Sequence, residues 1–575
     1  MLEKVKKYYQ LKKYNKAEII ARRELKKSPG ILEYYYLLGL IYYSLNKLNN
    51  SLKYLDMFLE HNPNQIDALI AKTHCLRAMN KNDEAINILN KLLNFDFKKS
   101  DIFLFLGECH LKISQVEKAN SFFQKSLELN SSKINLLNVY KIYNECNFPE
   151  KASKLLKESS FFKNDDEITL KYCNDQVTHN LLNYEETYTI LSKFVQDKVV
   201  SSQIYNLLGM CSLFLGKIEE AKKNFLASVD FDYTNANLSS SSTYISSSYY
   251  QLAQMNYKFD ENSLEKIKNL LGKNININNK SLLGYALSKI YYNNENFSES
   301  AKFLKISNKN IYKNIILPRG WTFEDELKLF QNLKKIYHSI KKSKIISNFE
   351  ITPIFILGMP RSGTTLVENI LSQSDCVQPT GENGFILNQI SEEIPNIKKS
   401  SIEDSTLISK INSDLIFKYF DFLSPKKKYF TDKTPLNFLA IGIIKILIPN
   451  SKIIYCKRNM NDNLLSMFQQ FFHSYSFDFS YDFKSLKKYY DLHTEIIKFW
   501  DSENISFFKL KYEDLITNKQ RHINDLCSFI GINYSDEMLE PHLNKRYVNT
   551  ASSFQVRQPI NSNSVNKWDK FKEFF

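Results

Sequence analysis

Ile354-Phe355-Ile356-Leu357-Gly358-Met359-Pro360-Arg361-Ser362-Gly363-Thr364-Thr365 is the stretch on which the reading of this 575-residue chain turns. Its first four residues form a short apolar run of the kind that fills a parallel strand buried on both faces. The run enters a loop bounded by Gly358 and Gly363, and the loop passes into the helical pattern Leu366-Val367-Glu368-Asn369-Ile370-Leu371. This is the spacing G-x-x-x-x-G-K-[ST] of a phosphate-cradling loop, whose backbone N–H groups wrap an anion at a helix N-terminus while nearby hydroxyls add donors. Thr364 stands where that pattern has Lys. The missing amine is the group that holds the β and γ phosphates of a nucleoside triphosphate. An anion is therefore expected at the loop, and triphosphate hydrolysis is not.

Downstream, the same strand-then-polar arrangement recurs. Tyr429-Phe430-Thr431 reads as a strand end followed by Asp432-Lys433-Thr434-Pro435, and Ile453-Ile454-Tyr455-Cys456 as a buried strand followed by Lys457-Arg458 and a helix carrying Leu464, Leu465 and Phe468. Ile505-Ser506-Phe507-Phe508-Lys509-Leu510 reads as a further strand, followed by Tyr512-Glu513-Asp514-Leu515. Each of these strands delivers a polar or cationic residue just past its C-terminal end, where open parallel sheets bind ligands. Packing alone does not require that repetition. Residues 349–575 are predicted to form an α/β domain with a parallel sheet.

Upstream the rhythm is different. A small residue recurs every 34 positions at Ala17, Ser51, Ala85 and Ala119, and comes nearly into phase again at Ala152. A bulky column runs Tyr8, Tyr42, Leu76, His110, and a turn column Pro29, Pro63, Phe97, Ser131. Gly39, Gly107 and Gly209 each precede a small residue by twelve positions, at Ser51, Ala119 and Ala221. Two antiparallel helices need such a pair where their backbones approach most closely, with large residues filling the holes between.

A 34-residue period with these residue types resembles the tetratricopeptide repeat (TPR), whose helix pairs stack into a superhelix. The likeness runs over residues 1–310, degenerate at 160–200 and 235–280. Ser239 to Ser248 reads as a degenerate helix or loop, and the Asn-rich segment Lys273 to Lys280 as a connection. A last helix pair is expected around Leu282 to Leu304 with its turn at Asn294-Glu295-Asn296. Leu329, Leu333, Ile336 and Ile340 form one face of an amphipathic helix from Glu324 to Ile340, inside a linker at 311–348. Repeat columns are packing residues, so none is a catalytic candidate; the concave face of such an array typically binds a protein or peptide.

Composition bounds the function. At ~100–200 residues per domain the length allows three or four domains, or a repeat array plus a catalytic domain. With 43% hydrophobic and 14% aromatic residues the chain has enough apolar material for cores, which excludes global disorder. Its 77 Lys+Arg against 62 Asp+Glu give a formal charge of +15, compatible with an anionic ligand, nucleic acid, a membrane surface or plain solubility. No basic motif interleaved with aromatics points to nucleic acid. The eight cysteines are scattered with no C-x-x-C pair, which removes zinc and dithiol spacings and suits a reducing compartment. The N-terminal charges lead into no apolar core, and no run approaches the ~18–20 residues of a membrane span. The expectation is a soluble, cytoplasmic protein.

The loop Pro360-Arg361-Ser362-Gly363-Thr364-Thr365 resembles the 5′-phosphosulfate loop of sulfotransferases that use 3′-phosphoadenosine 5′-phosphosulfate (PAPS). Over Ile351 to Trp568 the chain is similar to bacterial-type TPR sulfotransferases and, through them, to protein-tyrosine sulfotransferases. The resemblance implies a multidomain protein, an all-α TPR superhelix followed by an α/β P-loop-like sulfotransferase domain, which moves a sulfuryl group from PAPS to a hydroxyl. It implies Arg458 and Ser466, eight residues apart, as anchors of the 3′-phosphate; a further family Arg is Gln470 here. Glu382, in Gly381-Glu382, takes the place of the catalytic base, and Arg361 and Lys433 match cations beside the transferred group. Thr550 to Asn561 resembles a lid in which Ser552 or Ser553 donates to the sulfate. Lys567 matches a lysine that reaches the nucleotide, and Tyr512 is expected against the adenosine. Trp568 is read as core packing, and a terminal helix common in relatives is expected to be missing. No metal is expected, since no carboxylate cluster is seen. His473 is a rival base. A P-loop kinase and a non-catalytic TPR scaffold with a nucleotide-binding module are the alternatives, and protein tyrosine, a glycan and a small hydroxylated molecule all remain open as acceptor.

Overall fold

The structure, a computed structural model, describes residues 1–95, 98–113, 115–179, 181, 183–231, 238–341, 350–394, 397–398, 413–472, 475–544, 546–548, 550 and 552–575. It divides into two compact units, Met1–Leu181 and Leu182–Phe575.

The first unit is helical, and its helices pair as the period predicts. Glu33–Ser44 packs on Leu48–His61, and Lys99–Lys112 on Val116–Leu129. Ala17, Ser51, Ala85, Ala119 and Ala152 are all completely buried. A Cβ added at Gly39 would lie 2.7 Å from the Leu55 side chain, and one at Gly107 would lie 2.5 Å from the Phe123 ring. Glycine thus leaves the hole that a large residue sixteen positions later fills, and the Ser51 hydroxyl donates to the Gly39 carbonyl at 2.7 Å across the same crossing. Gly107→Ala should destabilise this unit by about 1–3 kcal/mol through overpacking. Urea denaturation followed by circular dichroism measures it; an unshifted transition would mean the crossing is looser than described.

The second unit begins with further helix pairs. Ser202–Phe214 packs on Ile218–Asp230 and repeats the close crossing, with a Cβ at Gly209 falling 2.6 Å from Phe225. Of the two readings of the serine-rich stretch the structure shows the helix and not the loop: Leu238–Gln254 is a continuous helix with Ile245, Tyr249, Leu252 and Ala253 buried. Its buried serines act as small spacers, Ser248 donating to the Ser228 hydroxyl at 2.9 Å and accepting from Asn206 at 2.8 Å. The Asn-rich segment is only partly a connection, because Asn276 caps the helix Ile277–Asn293 by accepting from Asn279 N. Its partner is Phe297–Ile311, across the expected turn. Within 160–200, where the repeat fades, Asp166–Thr178 and Tyr184–Gln196 are still helices. The amphipathic pattern beyond residue 311 forms the helix Phe323–Ile340.

Among the described residues five parallel strands follow: β1 Thr352–Gly358, β2 Val377–Pro379, β3 Tyr429–Asp432, β4 Lys452–Lys457 and β5 Phe508–Lys511, in the order β2-β3-β1-β4-β5. The last strand starts later than the sequence suggests. Asn504 has φ +57, and pairing with β4 begins only at Ile454↔Phe508. β2 carries no readable signal, being three residues long.

The alternation along β1 divides the core. Ile354 and Ile356 face Val367, Ile370, Ile523 and Leu526, whereas Phe355 and Leu357 face Tyr419, Phe438 and Trp500. This second core also contains Tyr285, Leu304 and Ile311 of the repeat helices. Packing therefore joins the last repeats to the α/β domain, and the compact division falls at residue 181 rather than at the end of the repeat pattern. From β1 the chain builds β2 and β3 on one side and then β4 and β5 on the other. The crevice of a parallel sheet opens at such a reversal. Among the described residues no helix is long and apolar enough to cross a membrane.

Candidate active site

The loop after β1 takes its shape from two glycines. At Gly358, with φ +145, a Cβ would lie 2.3 Å from the Cys456 carbonyl oxygen, and at Gly363, with φ +98, 2.7 Å from the Tyr512 ring. Any other residue would push the loop off β4 or displace the tyrosine. Asn463 donates to the Pro360 carbonyl at 2.9 Å, and the helix Thr364–Leu371 starts directly beyond Gly363 with Thr364 and Thr365 buried. The Ser362 hydroxyl and the Arg458 Nε are both buried and have no hydrogen-bond partner among the described residues. Buried polar groups are rarely left unpaired, so these two are donors in want of an acceptor. A phosphorylated or sulfated group fits such a loop, whose helix N-terminus supplies further N–H donors.

Several of the sequence-predicted residues converge here. Arg361 Nε donates to the Ser466 hydroxyl at 3.2 Å, and its other nitrogens donate to the Ser552 hydroxyl and, at 2.7 Å, to Gln555 Oε1. Burial and then the neighbouring Arg458 charge pull its guanidinium down to about 10. Arg458 is 7% exposed. It donates to the Arg361 carbonyl at 3.0 Å and to the Ser564 carbonyl, and it lies 4.9 Å from the Tyr512 ring centre. Lys433, fully buried, is ion-paired to Glu382, which opens to solvent. The Lys567 ammonium donates to Gln469 Oε1 at 2.6 Å, and burial followed by Lys289, Arg458 and Arg361 holds its pKa well below the usual lysine value. Ser552 rather than Ser553 meets Arg361, because the Ser553 hydroxyl is turned to the Thr550 backbone. Gln470 donates to the Tyr250 hydroxyl at 2.9 Å. Trp568 stacks on Phe483 at 5.8 Å. His473 lies outside the described residues.

Residues given no role by the sequence reading support this group. Glu368 accepts from Gly381 N at 3.0 Å, from the Thr431 hydroxyl at 2.7 Å and from Arg546 at 2.8 Å. Burial raises its pKa, but Arg546, Lys433 and the Thr431 bond outweigh that and hold it below the usual value. Asp432 accepts from Tyr419, Thr434 and Asn437, and burial pushes it up to about 6. The one sequence signal for Glu368 was its charge within an otherwise apolar buried stretch; Asp432 had none apart from its place at a strand end.

A parallel sheet with a glycine-bounded loop at its reversal, ringed by arginines and lysines from neighbouring strand ends, defines an α/β domain with a positively charged crevice at the C-terminal ends of its strands. Residues 353–536 match the sulfotransferase family, residues 202–235 the tetratricopeptide repeat, and residues 10–92 the family of anaphase-promoting complex, cyclosome, subunit 3. The chain thus joins segments that match tetratricopeptide-type repeats to a C-terminal domain that matches the sulfotransferase family. It is 27% identical over 340 residues to an uncharacterized protein of Aquifex aeolicus, covering 56% of this chain and 44% of that one. It is 23% identical to protein-tyrosine sulfotransferase 2 of Gallus gallus, covering 38% of this chain and 63% of the relative. It is also 23% identical to protein-tyrosine sulfotransferase 1 of Danio rerio, covering 39% and 67%.

Proposed function

We propose that the chain transfers the sulfuryl group of PAPS to a hydroxyl acceptor, with protein tyrosine the acceptor suggested by the names of its relatives. The observation that carries this reading is the pair of buried, unpartnered donors, Ser362 Oγ and Arg458 Nε, flanking a loop that lacks the triphosphate lysine.

In this reading the amides and hydroxyls of Pro360 to Thr365 hold the 5′-phosphosulfate, while Arg458, Ser466 and Lys567 hold the 3′-phosphate and Tyr512 lies along the adenosine. Glu382 removes the proton of the acceptor hydroxyl as its oxygen bonds to sulfur. The bond from sulfur to the 5′-phosphate oxygen breaks, and the electron pair leaves on the nucleotide as adenosine 3′,5′-bisphosphate. Arg361, Lys433 and Ser552 face the oxygens on which charge gathers, and as fixed groups they stabilise it without reorganising. Residues 1–310 act as the repeat region that recruits a protein partner or substrate, 311–348 as a linker and 349–575 as the catalytic domain. The scattered spacing of the eight cysteines, with no C-x-x-C pair, suits a reducing cytoplasm.

Adenosine 3′,5′-bisphosphate should raise the melting temperature of the full chain more than ATP does at equal concentration, since a ligand stabilises the state it binds. An equal or larger response to ATP would turn the reading towards a kinase.

A further inference from the structure

The repeat helices reach the donor site. Lys289 and Tyr292 lie on the helix Ile277–Asn293, and the Tyr292 ring has three ammonium groups about it: Lys567 at 4.3 Å, Lys289 at 5.3 Å and Lys570 at 5.7 Å from its centre. Lys567 is aimed there by its backbone. Asp462 accepts from Asn566 N at 2.7 Å and from Trp568 N at 2.8 Å, which fixes the chain on either side of it. Tyr250, on the helix Leu238–Gln254, is tied to Gln470 and so brings a second repeat helix to the same place.

The charges do not balance. Among the described residues neither Lys289 nor Lys567 has a carboxylate within ion-pairing distance. An aromatic face attracts a cation but does not neutralise it. Burial brings Lys289 down to about 8, and Lys289 is the largest charge acting on Lys567. Arg361 and Arg458 add to the same positive field, and the one carboxylate that opposes it, Asp462, is the smallest of these influences and is already engaged with the Asn566 and Trp568 amides. Like charges held together in partly desolvated surroundings are unfavourable unless an anion sits among them. The loop amides already account for one phosphate of a bisphosphate.

We propose that Lys289, supplied by the repeat region, joins Lys567 in binding the phosphate that the loop does not hold, so that the last repeats complete the donor site. This rests on the donor reading above. The repeat helices then form one wall of the nucleotide pocket, and the nucleotide is recognised as a nucleoside 3′,5′-bisphosphate by residues from both parts of the chain.

The test uses the full chain and isothermal titration with adenosine 3′,5′-bisphosphate and adenosine 5′-monophosphate. For Lys289→Met, bisphosphate affinity should fall about tenfold or more, as for loss of a charge-assisted contact, while monophosphate affinity stays within about twofold. Lys289→Arg should restore most of the loss. Without nucleotide, Lys289→Met should melt no lower than wild type, because it removes a repulsion; a lower melting point would mark Lys289 as structural and overturn the proposal. An unchanged bisphosphate affinity, or equal losses on both nucleotides, would overturn it too and leave the donor reading standing. If wild type fails to distinguish the two nucleotides, the donor reading itself fails and this inference with it.

Discussion

Glu382→Gln should lower turnover by about 10²–10⁴-fold, the usual contribution of a positioned general base, and leave the affinity for adenosine 3′,5′-bisphosphate within about twofold. The two effects separate because of where the carboxylate sits. Glu382 is paired with Lys433, yet its side chain is 37% exposed while Lys433 is fully buried. The carboxylate thus stands between the buried cation and the open side from which an acceptor arrives. Glutamine keeps the shape and can still accept from Lys433, but it cannot take a proton. The proposed anchors of the donor, Arg361, Arg458 and the loop, are untouched, so nucleotide affinity should survive. A loss confined to a proton transfer in the transition state lowers kcat and kcat/KM together. Single-turnover assays with labelled donor read this directly. If Glu382→Gln keeps wild-type turnover and His473→Asn loses it, the base is the histidine.

Much of this arrangement was legible in the sequence, for reasons that particular residues make plain. The loop after β1 could be read because its backbone demands glycine: Gly358 and Gly363 each sit where a Cβ would strike a neighbour, at φ angles disfavoured for other residues. The repeat could be read because Gly39, Gly107 and Gly209 serve one crossing geometry. Arg361, Lys433 and Arg458 follow strands, so a strand pattern placed them. What failed to show has the opposite character. Glu368 meets Arg546 across a sequence separation of 178 residues, and nothing local encodes that pair. The serine-rich helix Leu238–Gln254 is held by burial and by partners on other helices rather than by its own propensity. Lys289 precedes Tyr292 by one helical turn, so that contact is local; what no local pattern encodes is the arrival of Lys567 at the same ring, which tertiary packing brings about.

Arg546→Met should destabilise the unit Leu182–Phe575 by about 3–5 kcal/mol at neutral pH, because it leaves a buried carboxylate without its cation. Glu368 is buried and Arg546 largely covered, with side chains 1% and 13% accessible. Arg546 also donates to Asn369 at 2.8 Å, and Arg557 donates to the Arg546 carbonyl, so the pair ties the segment bearing Ser552 and Gln555 to the helix behind the loop. The pH dependence distinguishes this from a simple packing loss. In the wild type the folded-state pKa of Glu368 is depressed, so its contribution is present above the unfolded value of about 4.3 and is lost as pH falls through the lower folded value. Removing Arg546 takes away the largest influence opposing burial and leaves Lys433 and the Thr431 bond against it, so the expected result is a raised pKa. The folded protein then holds the proton more tightly than the unfolded chain, and stability declines as pH rises above about 4.3. Between pH 5 and 7 the difference in melting temperature between wild type and variant should therefore widen with pH. Scanning calorimetry across that range decides the point: a constant difference would mean that Arg546 acts by packing and that the charge on Glu368 is held by other groups. The same variant should lose activity out of proportion to its unfolded fraction, since Glu368 also fixes the amide of Gly381, the residue before the proposed base.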